Sequence, residues 1–160
     1  ELDGAGKRIV SASADVAGRV LVFSIGMNTI EMVGFDSGRI VESQTSGAKA
    51  GVRLLIENIA SQTGDEFSIA DTKMREGRIE QSIMERATSG YWATVRKSIS
   101  KQWGDSWMTA NKVIAVGGGT LILQDQLRSF FGSKLHSPKD GQIIAIARGM
   151  YKKALSNGSN

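Results

Sequence analysis

Cysteine is absent from this 160-residue chain. That excludes a disulfide framework, a thiolate metal site and a cysteine nucleophile. The one histidine, His136, leaves no set for a multi-histidine zinc site and gives a Ser–His triad no support. Proline occurs once, at Pro138. No apolar run approaches the about 20 residues that a membrane-spanning helix needs, and no basic segment followed by an apolar core opens the sequence. Neither a membrane span nor a signal peptide is expected, and the expected location is cytoplasmic. Charge of one sign is also scarce: 20 Lys+Arg against 16 Asp+Glu leave a net charge of +4. With no dense basic run, direct nucleic-acid binding is not expected. What is present is an ordinary globular composition, 41% hydrophobic and 22% charged, at the length of one domain. Glycine is the exception, with 19 residues and no repeat.

The hydrophobic pattern divides the chain. Residues Glu1 to Gly18 are small and polar apart from Ile9-Val10, and read as a lead-in segment with one edge strand. Arg19 to Ile25 (RVLVFSI) is a β-branched and aromatic run and predicts a buried strand. Thr29 to Phe35 and Arg39 to Gln44 predict two more, with Asp36-Ser37-Gly38 as a turn. Short connections make these three an antiparallel meander. From Gly51 the period becomes helical, with Val52, Leu55, Ile56 and Ile59 on one face and Gly64 as C-cap. Asp65 to Gly77 predicts a short helix with Asp65 as N-cap. Ile79 to Gly104 predicts a longer one carrying a Tyr91, Val95, Ile99, Trp103 stripe, with Thr88-Ser89-Gly90 as a candidate break. Lys112 to Val116 is a short buried strand, Leu121 to Phe131 a helix stopped by Gly132, and Lys134 to His136 a last short strand. Gly141 to Leu155 reads as a closing helix and 156–160 as a polar tail. The result is an α/β fold, a mixed sheet with a three-strand antiparallel meander flanked by helices.

Three glycine-bearing segments follow strands or precede helices. In Ser24 to Glu31 (SIGMNTIE), Gly26 sits at a hairpin tip, where backbone N–H groups cradle phosphate or simply make a β-turn. The Asn28 amide and Thr29 hydroxyl add polar groups there. Gly117-Gly118-Gly119-Thr120 follows a strand and opens a helix, where a ligand can lie against backbone near a helix N-terminus. The plain alternative is a tight turn with Thr120 as N-cap. The order is not G-x-G-x-x-G, so a Rossmann site is not supported. Ser46-Gly47 and Ala50-Gly51 let a helix start pack closely on the sheet or on a ligand. Asp3-Gly4-Ala5-Gly6-Lys7 is not a Walker A loop, because Glu1 and Arg8 stand where Gly and Ser/Thr are needed. His136 reads as structural or surface, and Tyr91, Trp103 and Trp107 as packing.

The order of these segments resembles the second half of actin-like ATPases. The resembling features are a buried strand running into S-I-G-x-N-T-x-E, a hairpin, a small-Gly-helix start, then V-G-G-G-T, P-x-D and A-x-A-x-G-x-x-K. The nearest resemblance is to the ParM/StbA-type plasmid-segregation actins, over Arg19 to Leu155. It implies a ribonuclease-H-like domain II with a helical insertion at 65–104. It places Ser24, Gly26, Met27, Asn28 and Thr29 on the second phosphate-binding hairpin and Gly51 at a helix start close to the nucleotide. It places Gly117, Gly118, Gly119 and Thr120 on the adenosine motif. Lys73 and Glu76 fall in the insertion where such proteins place purine-facing residues. The implied cofactor is ATP or GTP with Mg²⁺, shared with a domain I of the same or another chain, and the implied partners include further copies in a filament.

Two departures qualify the resemblance. The Asp that organises the metal in such proteins is Ser24 here, and a neutral hydroxyl is a poor substitute for a carboxylate. Glu31 is acidic, as is usual in these proteins, but is expected to point elsewhere. Such proteins are also about twice this length, and the first phosphate loop lies in domain I, so the chain reads as a domain II fragment or a domain-II-only protein. No catalytic residue and no protein metal ligand is assigned. The alternative function is a non-hydrolysing actin-like scaffold with a degenerate phosphate site.

Overall fold

The computed structural model describes residues 18–138 and Gly141. The expectations for Ile9-Val10, for the helix after Gly141 and for the tail lie outside the described residues. Strands β1 (Arg19–Ile25), β2 (Ile30–Asp36) and β3 (Arg39–Ala48) form the meander. Helices α1 (Val52–Thr63), α2 (Phe67–Arg75), α3 (Gln81–Trp103) and the single turn α4 (Ser106–Thr109) follow. The chain then gives β4 (Lys112–Val116), α5 (Gly119–Ile122), α6 (Gln124–Phe131), a 3₁₀ turn at Gly132–Lys134 and β5 (Leu135–His136). The sheet order is β3-β2-β1-β4-β5. The β1–β2 and β2–β3 pairs are antiparallel, and the β1–β4 and β4–β5 pairs parallel. This is the mixed sheet that the meander and the later strands predict, in the ribonuclease-H-like form that the resemblance implies. The β2–β3 turn has Ser37 and Gly38 both at positive φ, the type I′ geometry that matches strand twist.

Alternation along β1 sets the two faces. Leu21, Phe23 and Ile25 enter the main core with Leu55, Ile56 and Ile59 of α1, Leu127 and Phe131 of α6, and the expected α3 stripe of Tyr91, Val95, Ile99 and Trp103. Val20 and Val22 face the other way, with Val33, Phe35, Ile114 and Val116. Phe23 is the centre of the first face, with ring centroids 6.2 Å from Trp103 and 5.8 Å from Phe131. Two polar handles fix α3 against the sheet. The Tyr91 hydroxyl donates to the Ala50 carbonyl at 3.2 Å and Trp103 Nε1 to the Gln44 carbonyl at 3.0 Å. Tyr91 is therefore level with the start of α1, and the part of α3 before it projects past the strand ends. There it runs antiparallel to α1, where Arg86 donates to Gln62. Burial pushes the Tyr91 phenol up, so it stays a neutral donor throughout the ordinary pH range.

Four local expectations change. α3 is unbroken across Thr88-Ser89-Gly90, because packing on α1 outweighs the weak helix propensity of these residues. Gly90 lies where an added Cβ would come 3.3 Å from the Asn58 side chain. Asp65 does not cap α2; Glu66 occupies the cap position, and Asp65 binds Lys73 instead. The stretch from Leu121 to Phe131 is two helices that meet at Leu123. β3 runs to Ala48, past a register shift between Met32 and Gly34. Around this irregularity three β3 carbonyls accept side-chain donors: Val41 from Thr45, Ser43 from Gln102 and Gln44 from Trp103.

Two substitutions test the α3 anchors. Tyr91→Phe removes one hydrogen bond and leaves a buried carbonyl, for an expected loss of about 1 kcal/mol. Trp103→Ala empties the space beside Phe23, for about 3–5 kcal/mol. Urea unfolding of each variant measures both.

Candidate functional site

Strands β1 and β4 are parallel neighbours that end at the same sheet edge, Ser24 pairing with Val116. Their two loops therefore meet. The β1–β2 tip closes with Gly26 N–H donating to the Thr29 carbonyl at 2.9 Å. Its next contacts fix it to α1. The carbonyls of Gly26, Met27 and Asn28 accept from the N–H groups of Val52 (3.0 Å), Arg53 (2.8 Å) and Gly51 (3.2 Å). These donors would otherwise be left over at a helix N-terminus. Gly51 is buried, and a Cβ there would overlap Met27 O and the Asn28 backbone. In this geometry Gly51 lies behind the tip and sets its position, with its N–H facing the tip's own carbonyl.

The β4 loop packs onto the same strand end. Gly117 has φ +90°, and a Cβ there would overlap the Ile25 backbone. A Cβ on Gly119 would overlap the Ile25 side chain and come 3.0 Å from Val52. Thr120 is buried and does not cap the helix; its hydroxyl donates to the Gly117 carbonyl at 2.7 Å and closes the loop. Gly118, in the cap position, differs from its neighbours. It is exposed, has φ −61° and would place a Cβ in open space. Gly26 likewise has no close neighbour to a Cβ, the nearest atom being Thr29 O at 3.7 Å. Gly26 and Gly118 are thus the two site glycines that the packing of the described residues does not require. Both lie on the open edge, beside exposed Met27 and Asn28.

The site has a polar row. Ser24, 5% exposed, pairs directly with Glu31 across β1–β2, and directly paired residues project from the same face. Against the expectation that Glu31 points elsewhere, the register sets it on the same sheet face as Ser24. Gly47 pairs with Glu31 on the other side and brings no side chain. Thr29, two residues back on the same face, donates its hydroxyl to Glu31 Oε1 at 3.4 Å. Among the described residues no Lys, Arg or His pairs with this carboxylate. The alternation of β2 could have revealed this orientation in the sequence, given the register. Leu121, 49% exposed beside Gly118, is a second residue that sequence reasoning missed, because it reads as an ordinary helix position.

Lys73 and Glu76 both have partners within α2 and its flanks. Lys73 Nζ donates to both Asp65 oxygens at 2.8 Å. The hydrogen bonds from Lys73, and then Thr63, hold the Asp65 carboxyl below its usual range. Glu76 accepts from Arg78. His136 is exposed on β5. The described residues contain no group of three or more His, Cys, Asp or Glu side chains that could hold a metal, and no helix long and apolar enough to cross a membrane.

The glycines make a paired prediction. Gly119→Ala overpacks the β4 loop and lowers stability by about 1–3 kcal/mol. Gly118→Ala fits its backbone and is neutral or stabilising by up to about 1 kcal/mol, through the unfolded chain. Thermal melts of the two variants read the difference.

No protein-family model matches the chain, and neither does any curated protein. Solved structures do. An archaeal actin homolog in complex with ADP superposes with a TM-score of 0.79 at 17% identity, over 98% of this chain and 56% of that one. A ParM filament from Clostridium botulinum gives 0.81 at 13% identity, over 96% and 51%. Bacillus thuringiensis ParM with ATP gives 0.66 at 15% identity, over 89% and 47%. The chain thus spans about half the length of each. At these identities the likeness is one of fold: the chain has the fold found in one half of archaeal actin homologs and ParM proteins.

Proposed function

We propose that this chain is the nucleotide-binding half, domain II, of an actin-like filament protein. The observation that carries the reading is the pair Gly26 and Gly118. Each is bare of side chain with no cause in the packing of the described residues, and they flank one sheet edge. Backbone left open on both sides of a strand-end crevice suits a ligand that lies against the main chain. The fold supports the reading, since the neighbours include an actin homolog with ADP and a ParM with ATP.

In this reading the β1–β2 tip holds the phosphates. Its N–H groups, the Asn28 amide and the Thr29 hydroxyl supply the donors, while the α1 N–H groups hold the tip in place rather than address the ligand. Gly118 gives the ribose and base a flat approach, and exposed Leu121 offers them an apolar face. Ser24, Thr29 and Glu31 offer hard oxygen donors, which suits Mg²⁺ held mainly by water and phosphate. When bound, that ion neutralises phosphate charge. A domain I, in the same or another chain, supplies the opposite wall of the cleft. Nucleotide state then sets the stability of a polymer; that one neighbour is a ParM filament supports the polymer part of this reading.

The second reading is a scaffold that polymerises without hydrolysis. The observation that favours it is Ser24, a neutral, 5% exposed side chain where the resemblance expects a carboxylate. The two readings differ in turnover, not in assembly.

Calorimetry with Mg-ATP tests the proposal on this chain. Weak binding is expected, because half of the phosphate contacts are missing. Gly118→Val lowers the affinity at least about tenfold, a loss of about 1.4 kcal/mol, without lowering the melting temperature. Equal affinity in that variant, or no binding by the wild type, overturns the reading. In the longest form of the protein, phosphate release on polymerisation separates hydrolysis from scaffolding.

A further inference from the structure

We propose that Glu31 supplies the carboxylate that position 24 lacks and holds the divalent cation of the bound nucleotide. The inference rests on the nucleotide-binding reading above and deepens it: of the three oxygen donors named there, it assigns the ion to one.

Three observations support it. The register of β1 and β2 sets Glu31 directly opposite Ser24, so a carboxylate on β2 projects from the same face, one strand over, at the same level of the sheet edge. The flanking positions are small: Ser24 on one side and Gly47 on the other. The Glu side chain is one methylene longer than Asp, which recovers part of the one-strand displacement of about 4.8 Å. Lastly, among the described residues the carboxylate has no charged partner. Its recorded side-chain partner is the neutral Thr29 hydroxyl at 3.4 Å.

An unpaired carboxylate beside a phosphate-binding tip has a definite physical consequence. Without metal it repels the phosphates; with Mg²⁺ it attracts the ion that they carry. The sign of its effect on nucleotide affinity therefore reverses with the metal. Mg²⁺ at nucleotide sites is ordinarily held by one or two carboxylates plus phosphate and water, so a single Glu with two hydroxyls is a sufficient protein contribution. The Ser24 and Thr29 hydroxyls complete that row as hydrogen-bond partners for metal-bound water.

The test is titration of the full chain with ADP, once with Mg²⁺ and once with a chelator, on wild type and Glu31→Gln. The expected result is that Glu31→Gln weakens Mg-ADP binding roughly tenfold or more. The same variant leaves metal-free ADP binding unchanged or tighter, and leaves the melting temperature unchanged. The double variant Ser24→Asp, Glu31→Gln recovers the metal dependence. Paramagnetic resonance of Mn²⁺ with ADP gives an independent readout: the immobilised-ion signal is present in wild type and lost in Glu31→Gln. Retention of the full metal dependence in Glu31→Gln overturns the assignment while leaving nucleotide binding intact. Equal weakening with and without metal also overturns it, since that pattern marks a change in the shape of the tip. Wild type that binds neither form overturns the nucleotide reading itself.

Discussion

The three carbonyls of the β1–β2 tip, received by the first N–H groups of α1, are the contact on which the rest of the site depends. A hairpin tip on its own is a mobile turn. Here each carbonyl of Gly26, Met27 and Asn28 is held, so the tip's other groups are directed outward. The same bonds satisfy the start of α1. Neither partner forms well without the other, and Gly51 is where they touch, with no room for a side chain. The second loop is built onto this joint, since Gly117 and Gly119 both close against Ile25, the last residue of β1.

Much of the fold was legible in the sequence because its signals are periodic. The β1 run and the α3 stripe have one dominant pattern each, and burial follows it residue by residue. What misled were local signals overridden by tertiary contact. Thr88-Ser89-Gly90 looks like a break, yet α1 packs on it and the helix continues. Asp65 looks like a cap, yet an ion pair with Lys73 is the stronger use of its charge. The site was legible as a set of segments but not as a division of labour. No pattern within G-G-G distinguishes the glycines that seat the loop from the one that faces outward; only neighbours from β1 and α1 do that. Glu31 was misjudged for the same reason, because strand register is a property of two strands and a single sequence shows one at a time.

The anchoring of α3 gives the site a back wall. Tyr91 holds the Ala50 carbonyl just before α1 begins, and Trp103, about three turns further along α3, holds the Gln44 carbonyl of β3. One continuous helix thus touches both the middle of the sheet and the segment that carries the tip. Displacement of the projecting half of α3 would act on Ala50 and, through α1, on the β1–β2 hairpin. The helices beyond the sheet and the crevice at its edge form one mechanical unit.

The irregular stretch of β3 has a consequence for how copies of such a chain could come together. An outermost strand usually offers a ladder of unsatisfied main-chain groups, and a ladder of that kind recruits any extended peptide. In β3 the carbonyls of Val41, Ser43 and Gln44 already have side-chain donors, two of them from α3. That stretch of the margin, from Val41 to Gln44, is less open to indiscriminate strand addition. A second copy meeting the sheet at this stretch would contact side-chain surfaces, which can be tuned and released, rather than pair by main chain, which is hard to reverse.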